Sequence, residues 1–577
     1  QELRKHFSYD DRQLTEMSGL LLQMKELAHS QTFGDRLFSH DVYSKKEVSI
    51  SIEQPKTVNK LTPYLFEGDI LLSTKQAAAI LETISMRPSK RRRSKLKPKD
   101  FDRRRRSFSS DPEAKWIEFP IKYRFHESLA LFQITQIINA IEYWQSHTCL
   151  TFQNDDKATG DFIEFFKGEG CYSMIGRFGG RQGVSIGDGC ERVGTIEHEL
   201  GHALGLWHEQ SRPDASQYVE VLKAFILPSY ISDFLERGTD EIDTLGVPYD
   251  LGSVMHYGST AFSADQKSKT LLTRDPFYQT TIGQREGLSF YDVKIINEAY
   301  CKGKTECKNG GYTNPHDCKS CLCPSGFGGA KCEINEKALE SQCGGVLKAN
   351  DKWQTIESPG YPDSGYEPGE RCSWLIETTK DARIEMEFVD EFDIFCATTC
   401  VDYVELKIGN DLRNTGFRFC CPEHPKGNVV SALNQVVVIF RSAIGEGTGF
   451  RLRFRSMAPT TIAGENIWND WGSWSECSKP CGGCGIRSRV RICATASCTG
   501  KSQEFSTCNL QVCPVDPKCA KVKFRNRLCT DSRTCNHLSE ALSSCNQPSC
   551  CPPFYEANGQ CQSDEPILTG SQLDAET

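Results

Sequence analysis

The sequence predicts a multidomain protein in which an α+β domain built around one metal-binding helix is followed by small disulfide-rich modules. Three observations predict this. At 577 residues the chain is too long for one hydrophobic core, and length alone suggests roughly three to five domains. Its 29 cysteines are uneven: none precedes Cys149, four lie from there to Cys301, and 25 crowd the remainder. Clustered cysteines in short segments mean disulfide frameworks and an oxidising compartment. Finally, His198-Glu199-Leu200-Gly201-His202 puts two imidazoles four residues apart, on one face of a helix. The net charge of −8 gives no case for nucleic-acid binding. No run of eighteen apolar residues is present, so no membrane span is expected.

The metal-binding stretch continues through Gly205 and His208. Gly accepts the left-handed conformation that ends a helix and turns the chain back, which would bring His208 to the same ion. Three neutral imidazoles plus water make an open zinc site. The plainer alternative is a helix whose histidines are solvated or packed in the core. H-E-x-x-H-x-x-G-x-x-H is the metzincin signature, and Ser253-Val254-Met255-His256-Tyr257 resembles its Met-turn. Glu209 after the third His and the Ser-x-Met-His-Tyr turn narrow the resemblance to the astacin family of zinc endopeptidases. The resemblance implies one Zn2+ per catalytic domain, held by His198, His202 and His208. It makes Glu199 the general base that takes a proton from zinc-activated water and returns it to the leaving amine. It makes Met255 the floor beneath the histidines and Tyr257 a fifth ligand in the free enzyme that swings aside to hydrogen-bond the reacting carbonyl. It places Glu209 against the trimmed amino terminus.

In chain order, residues 1–106 lack cysteine and read as a propeptide. Leu14, Met17, Leu20, Leu21, Met24 and Leu27 predict one amphipathic helix, and Ala77 to Ile84 a second. Between them Phe66-Glu67-Gly68-Asp69 resembles the F-x-G-D motif of astacin propeptides, whose Asp ligates the zinc in place of water. That makes Asp69 a zymogen-only ligand; the alternative is a Gly-Asp surface turn. Two basic clusters follow, at Lys90–Arg93 and Arg103–Arg106. In a secretory chain they read as sites for a furin-type protease, with cleavage after Arg106 favoured and Ser107 as the mature start.

The peptidase domain is expected at 107–303. A strand is read from Trp116 to Phe125, a helix through Ile134, Ile137, Ile138, Ile141 and Trp144, and strands at Cys149–Phe152 and Phe162–Phe166. The Gly-rich stretch Cys171 to Cys190 precedes the metal helix. This suits an open mixed sheet with two long helices and a cleft between two lobes. The astacin resemblance pairs Cys149 with Cys301 and Cys171 with Cys190; the first closes a loop of about 150 residues, worth several kcal/mol.

Four segments follow. Residues 304–336 resemble an EGF-like module with five cysteines where six are usual. Residues 343–456, with Cys343 and Cys372, resemble a CUB β-sandwich, with an extra bridge expected near Cys400 and Cys421. Asp402 there is a candidate Ca2+ ligand, although Ser442–Gly447 lacks the usual Asp. Residues 466–514 resemble a thrombospondin type-1 repeat. Trp468, Trp471 and Trp474 are spaced to interleave with Arg487, Arg489 and Arg491, and Trp468 and Trp471 are candidates for C-mannosylation. Residues 515–577 form a Cys-rich tail without a named resemblance.

The chain is therefore expected to be a secreted, extracellular zinc metalloendopeptidase made as a zymogen, its signal peptide already removed. Module order is similar to a nematode astacin subgroup associated with moulting and hatching, which implies extracellular-matrix or cuticle proteins as substrates and the carboxy-terminal modules as exosites. The alternatives are a matrix-binding adhesion or assembly protein, and a growth-factor- or procollagen-processing protease of the tolloid kind.

Overall fold

The computed structural model describes residues 2–7, 9–33, 64–86, 108–238, 241–264, 266, 268–301, 306–338, 342–421, 428–457, 471, 474, 477, 481, 485–490, 503–513, 555–557 and 560–562. Arg106, Ser107 and Trp468 lie outside them, as does most of the tail. The chain divides into two compact units, 1–461 and 462–577.

In the first unit a six-stranded sheet runs in the order β1-β6-β7-β5-β3-β4, built from β1 (Ile70–Leu71), β3 (Ile121–Phe125), β4 (Phe152–Asn154), β5 (Phe162–Phe166), β6 (Cys171–Met174) and β7 (Arg181–Ile186). Strands β4, β3, β5 and β7 are parallel, β6 is antiparallel to β7, and β1 pairs parallel with β6. Because side chains alternate across a strand, the strands β5, β6 and β7 are buried on both faces. Ile163, Phe165, Val184 and Ile186 face α4 (Leu131–His147) and the metal helix α5 (Val193–Leu204). Phe166, Tyr172 and Met174 face the amino-terminal segment. That segment contains α1 (Glu2–His6), α2 (Asp11–Phe33) and α3 (Thr74–Met86). The two helices read from periodicity are thus present, and each is longer than its apolar stripe.

One reading is corrected, and one stretch left unassigned proves to be part of the sheet. The strand expected from Trp116 begins only at Ile121, after the cis Phe119–Pro120 bond, since proline has no N–H for a ladder. The Gly-rich stretch before the metal helix, given no element from the sequence, folds into β6 and β7, and the Cys171–Cys190 bridge ties the start of β6 to the turn after β7. Glycines dilute the alternation that marks a strand, so the sheet's edge was not legible.

Beyond α5 the chain forms β8 (Val219–Val221) with β10 (Leu271–Thr273), and β9 (Ile242–Asp243) with β2 (Phe108–Ser109). Helix α6 (Phe290–Tyr300) closes this lobe, and Cys149–Cys301 ties its end to the first lobe. Residues 306–336 form two short ladders with bridges Cys307–Cys321 and Cys323–Cys332. Residues 345–457 form a sandwich of a five- and a four-stranded sheet, closed by Cys343–Cys372. The bridge expected near Cys400 and Cys421 resolves into two neighbours, Cys396–Cys421 and Cys400–Cys420. This sandwich is seated on the peptidase lobe: Cys400 N donates to Thr280 O at 3.1 Å, Arg418 N to Thr281 Oγ1 at 3.1 Å, and Thr415 Oγ1 to Asp250 Oδ2 at 3.2 Å. In the second unit the Arg489 guanidinium lies 5.1 and 4.7 Å from the ring centroids of Trp471 and Trp474, the interleaving its spacing suggested.

Candidate metal centre

Helix α5 presents His198 and His202 on one buried face and ends at Gly205, whose φ is +111°. A Cβ there would lie 2.8 Å from the Phe108 ring, so only glycine allows both the turn and the packing of β2. The turn carries the chain through Leu206 and Trp207 to His208. Gly201 is equally confined, because a Cβ there would lie 3.0 Å from Met255 Sδ. Met255 thus packs directly under the helix. Its turn is held by Asp292, which accepts from Ser253 Oγ at 2.5 Å and Val254 N at 2.9 Å.

The three imidazoles and Asp69 converge, with one ligand atom from each lying within 4.8 Å of all the others. His198 Nε2 and His208 Nε2 are each 3.2 Å from Asp69 Oδ2, and His202 Nε2 is 3.1 Å from His198 Nε2. The opposite ring nitrogens identify the tautomers. His198 Nδ1 meets Val254 O at 2.9 Å and His202 Nδ1 meets Leu206 O at 2.8 Å. Carbonyl oxygens only accept, so both Nδ1 atoms carry the proton and both Nε2 lone pairs point at each other. His208 Nδ1 likewise donates to Glu67 Oε2 at 2.7 Å. Facing lone pairs beside a buried carboxylate repel unless a cation lies among them. Zinc bonds of ~2.0–2.1 Å require tetrahedral edges of roughly 3.3–3.4 Å, close to the separations seen. The donor set therefore fits Zn2+.

Glu199, next to the first ligand, is fully buried, and its Oε2 has no hydrogen-bond partner. Burial first, and the Asp69 carboxylate second, push its carboxyl well above the ordinary value. Burial also works to raise Asp69, but the imidazoles of His208, His198 and His202 outweigh it and hold Asp69 well below the carboxylate range. Tyr257 is engaged by the propeptide segment. Its hydroxyl donates to Glu67 O at 2.5 Å while its ring lies 4.7 Å from that of His208. Glu209 accepts from Arg212 Nη1 at 2.9 Å and Asp250 N at 2.8 Å, beside a cavity lined by Leu206, Arg212, Met255 and Asp292. Burial pushes its carboxyl up to about 8.

The residues that sequence reasoning missed surround Glu67. It is fully buried and accepts from Arg237 Nη2 at 2.7 Å, Ser211 Oγ at 2.9 Å and His208 Nδ1. Burial pushes its carboxyl up, but Arg237 and His208 prevail and hold it below the ordinary value. Glu67 stood within the F-x-G-D motif as its variable position, the one signal that pointed to it. Arg237 and Ser211 carried none. At the sandwich, Asp402 accepts from Ala443 N, Ile444 N, Gly445 N and Tyr366 OH. Four donors occupy its oxygens, and three backbone N–H dipoles oppose a cation, so the site offers no support for Ca2+.

Family models and related sequences agree with this geometry. The Astacin peptidase family model matches residues 108–301, the CUB domain model 343–454 and the thrombospondin type 1 domain model 469–513. The chain is 60% identical to zinc metalloproteinase nas-36 of Brugia malayi, covering 94% of this chain and 99% of that protein. It is 54% identical to nas-36 of Caenorhabditis elegans, with 98% and 93% covered. It is 38% identical to zinc metalloproteinase dpy-31 of C. elegans, with 86% and 83% covered. Among solved structures, the hatching enzyme zinc-protease HCE-1 of Oryzias latipes matches at 34% identity and TM-score 0.31, over 33% of this chain and 97% of its own.

Proposed function

The chain belongs to the astacin family of zinc metalloproteinases, and from that premise we propose that it is a secreted endopeptidase made as a zymogen that Asp69 inhibits. The observation that carries the reading is the Asp69 carboxylate lodged among three imidazoles whose lone pairs face a common point.

When bound by His198, His202 and His208, zinc supplies the Lewis acidity that activates water and polarises a scissile carbonyl. The chain's own residues do the rest. Glu199, buried and with one oxygen unpartnered, takes the water's proton and hands it to the leaving amine. Tyr257 already donates to a backbone carbonyl in the cleft, and the same hydroxyl serves the carbonyl being attacked; in the free enzyme it would be the residue to complete the zinc's ligands. Strand β6 offers its edge to a substrate backbone. In this structure β1 takes that edge, pairing Ile70 with Ser173 and Leu71 with Met174, so the propeptide excludes substrate as well as water.

Release requires cleavage after Arg106 by a furin-type protease. The position of β2 supports that site over the earlier cluster. Phe108, two residues after that site, bridges to Leu206, which lines the Glu209 cavity. Module order and the nematode relatives support extracellular-matrix or cuticle protein as substrate, in moulting or hatching. Cysteine bridges and extracellular-type modules support secretion, and among the described residues no helix is long and apolar enough to cross a membrane.

The test is a cleavage assay on denatured protein with chain trimmed after Arg106, chelated and zinc-restored, beside Glu199→Gln. Zinc-dependent cleavage, lower in the variant by about 10²–10⁴, is expected. A zinc-loaded, trimmed chain that leaves every protein intact would overturn the reading.

A further inference from the structure

Several contacts hold the amino-terminal segment on the peptidase domain besides those at the metal centre: Lys25 lies over the Tyr230 ring, Lys75 pairs with Glu113, and α1 makes a set of its own. The set made by α1 is on the sheet face turned away from α4 and α5. There the His6 ring stacks on Phe166, centroids 3.8 Å apart and planes within 8°. Its Nδ1 lies 2.9 Å from Glu164 Oε2, while Glu164 Oε1 accepts from Arg124 Nη2 at 2.6 Å and Nε at 2.9 Å. The side chains of His6 and Glu164 are 5% and 3% exposed. Glu2 accepts from the Tyr172 hydroxyl and from Glu169 N. The domain's side of this contact is shaped for it. A Cβ at Gly168 would lie 2.4 Å from Glu2 Oε1, and one at Gly183 would lie 2.9 Å from Phe7 Cζ. The two glycines leave the gaps into which α1 settles, and Leu3 and Phe7 are buried there.

We propose that this outer face, centred on the Glu164 carboxylate and the Phe166 ring, is a second docking site for the propeptide. It keeps the propeptide bound as an inhibitor after the chain is cut at Arg106. The proposal rests on the reading of residues 1–106 as a propeptide. Cutting at Arg106 breaks none of the contacts just described. The site pairs a buried carboxylate with an aromatic floor, which suits a flat side chain that both stacks and donates, as His6 does. Its polar side chains are distinct from the ligands of the metal centre, so the two can be altered separately. Activation is then two events, a cut and a slower departure.

The experiment uses full-length chain carrying Glu199→Gln, so that it cannot digest itself, cut after Arg106 by a furin-type protease. Dissociation of the propeptide is followed by size exclusion after dilution. The cut chain is expected to co-elute with its propeptide, and to keep doing so with Asp69→Ala. Glu2→Ala with His6→Ala is expected to speed dissociation at least tenfold. His6→Phe, which keeps the stack and removes the hydrogen bond to Glu164, is expected to give an intermediate rate, and it guards against a misfolded double variant. Unchanged dissociation in both sets, or a propeptide that leaves on cutting, overturns the second site. A separate arm with native Glu199 tests the underlying reading. If uncut Asp69→Ala chain loaded with Co2+ has the same absorption spectrum as the uncut native chain, the Asp69 reading fails, whatever the dissociation rates. Once the propeptide is digested the trimmed enzymes are identical in sequence, and their activities should coincide.

Discussion

Glu67 and Arg237 form a fully buried pair whose partners come from segments 170 residues apart. Removing one charge of such a pair leaves the other desolvated and uncompensated, at a cost of roughly 3–5 kcal/mol. Glu67→Ala should therefore lower the melting temperature of the uncut chain sharply, while trimmed enzyme, which has lost Glu67 anyway, should melt as the native trimmed enzyme does. Differential scanning calorimetry on both forms checks this, and an equal loss in both would contradict the assignment. Glu164 gives a pH prediction. Burial works against its charged form, but His6 and Arg124 more than compensate and hold it down to about 2. A carboxyl whose folded value is depressed stabilises the fold above its unfolded value, about 4.3, and loses that contribution as the pH falls towards 2. The uncut chain's melting temperature should drop over that window, and less so in Glu164→Gln.

At the scale of the element, α5 shows how much of a site one helix can specify. Spacing of four puts His198 and His202 on one face, and Gly205 both ends the helix and accepts the Phe108 ring. Gly205→Ala should cost on the order of 2 kcal/mol through backbone strain, more if the Phe108 contact is also disturbed, read as a fall in the melting temperature of the trimmed chain. Other elements were less legible. The helices α2 and α3 announced themselves by apolar periodicity, but β6 and β7 did not, since glycines interrupt their alternation and the antiparallel edge has no local marker. The strand read from Trp116 was shortened by Pro120, a residue in plain view whose missing N–H outweighed the apolar pattern.

For the molecule as a whole, the first unit binds several modules into one body around the metal centre. The Cys149–Cys301 bridge joins the lobes across a separation of 152 residues. Replacing both cysteines with alanine should cost about 2–5 kcal/mol, measurable by chemical denaturation of the trimmed chain. The sandwich domain was expected to act as an exosite, and its contacts add a second relation. Thr415 meets Asp250, whose N–H binds Glu209 Oε1, and residues 399–418 hold Thr280 to Ile282. Truncation after residue 336 should therefore lower the stability of the peptidase domain itself, beyond any change in substrate choice. An unchanged melting temperature for that domain would refute the coupling.

The metal chemistry and the family were legible because they depend on short-range geometry. A helix repeats every 3.6 residues whatever surrounds it, so H-E-x-x-H declares two ligands and a base, and clustered cysteines and tryptophans declare the modules in the same local way. Only the tertiary structure decided that Glu67 joins Asp69, already expected there from its motif, at imidazoles more than a hundred residues away, that β1 runs parallel to β6, and that α1 closes over Glu164. Such pairings follow from which buried charges and apolar faces find partners once the chain has closed its long loops. No spacing along the sequence encodes that outcome.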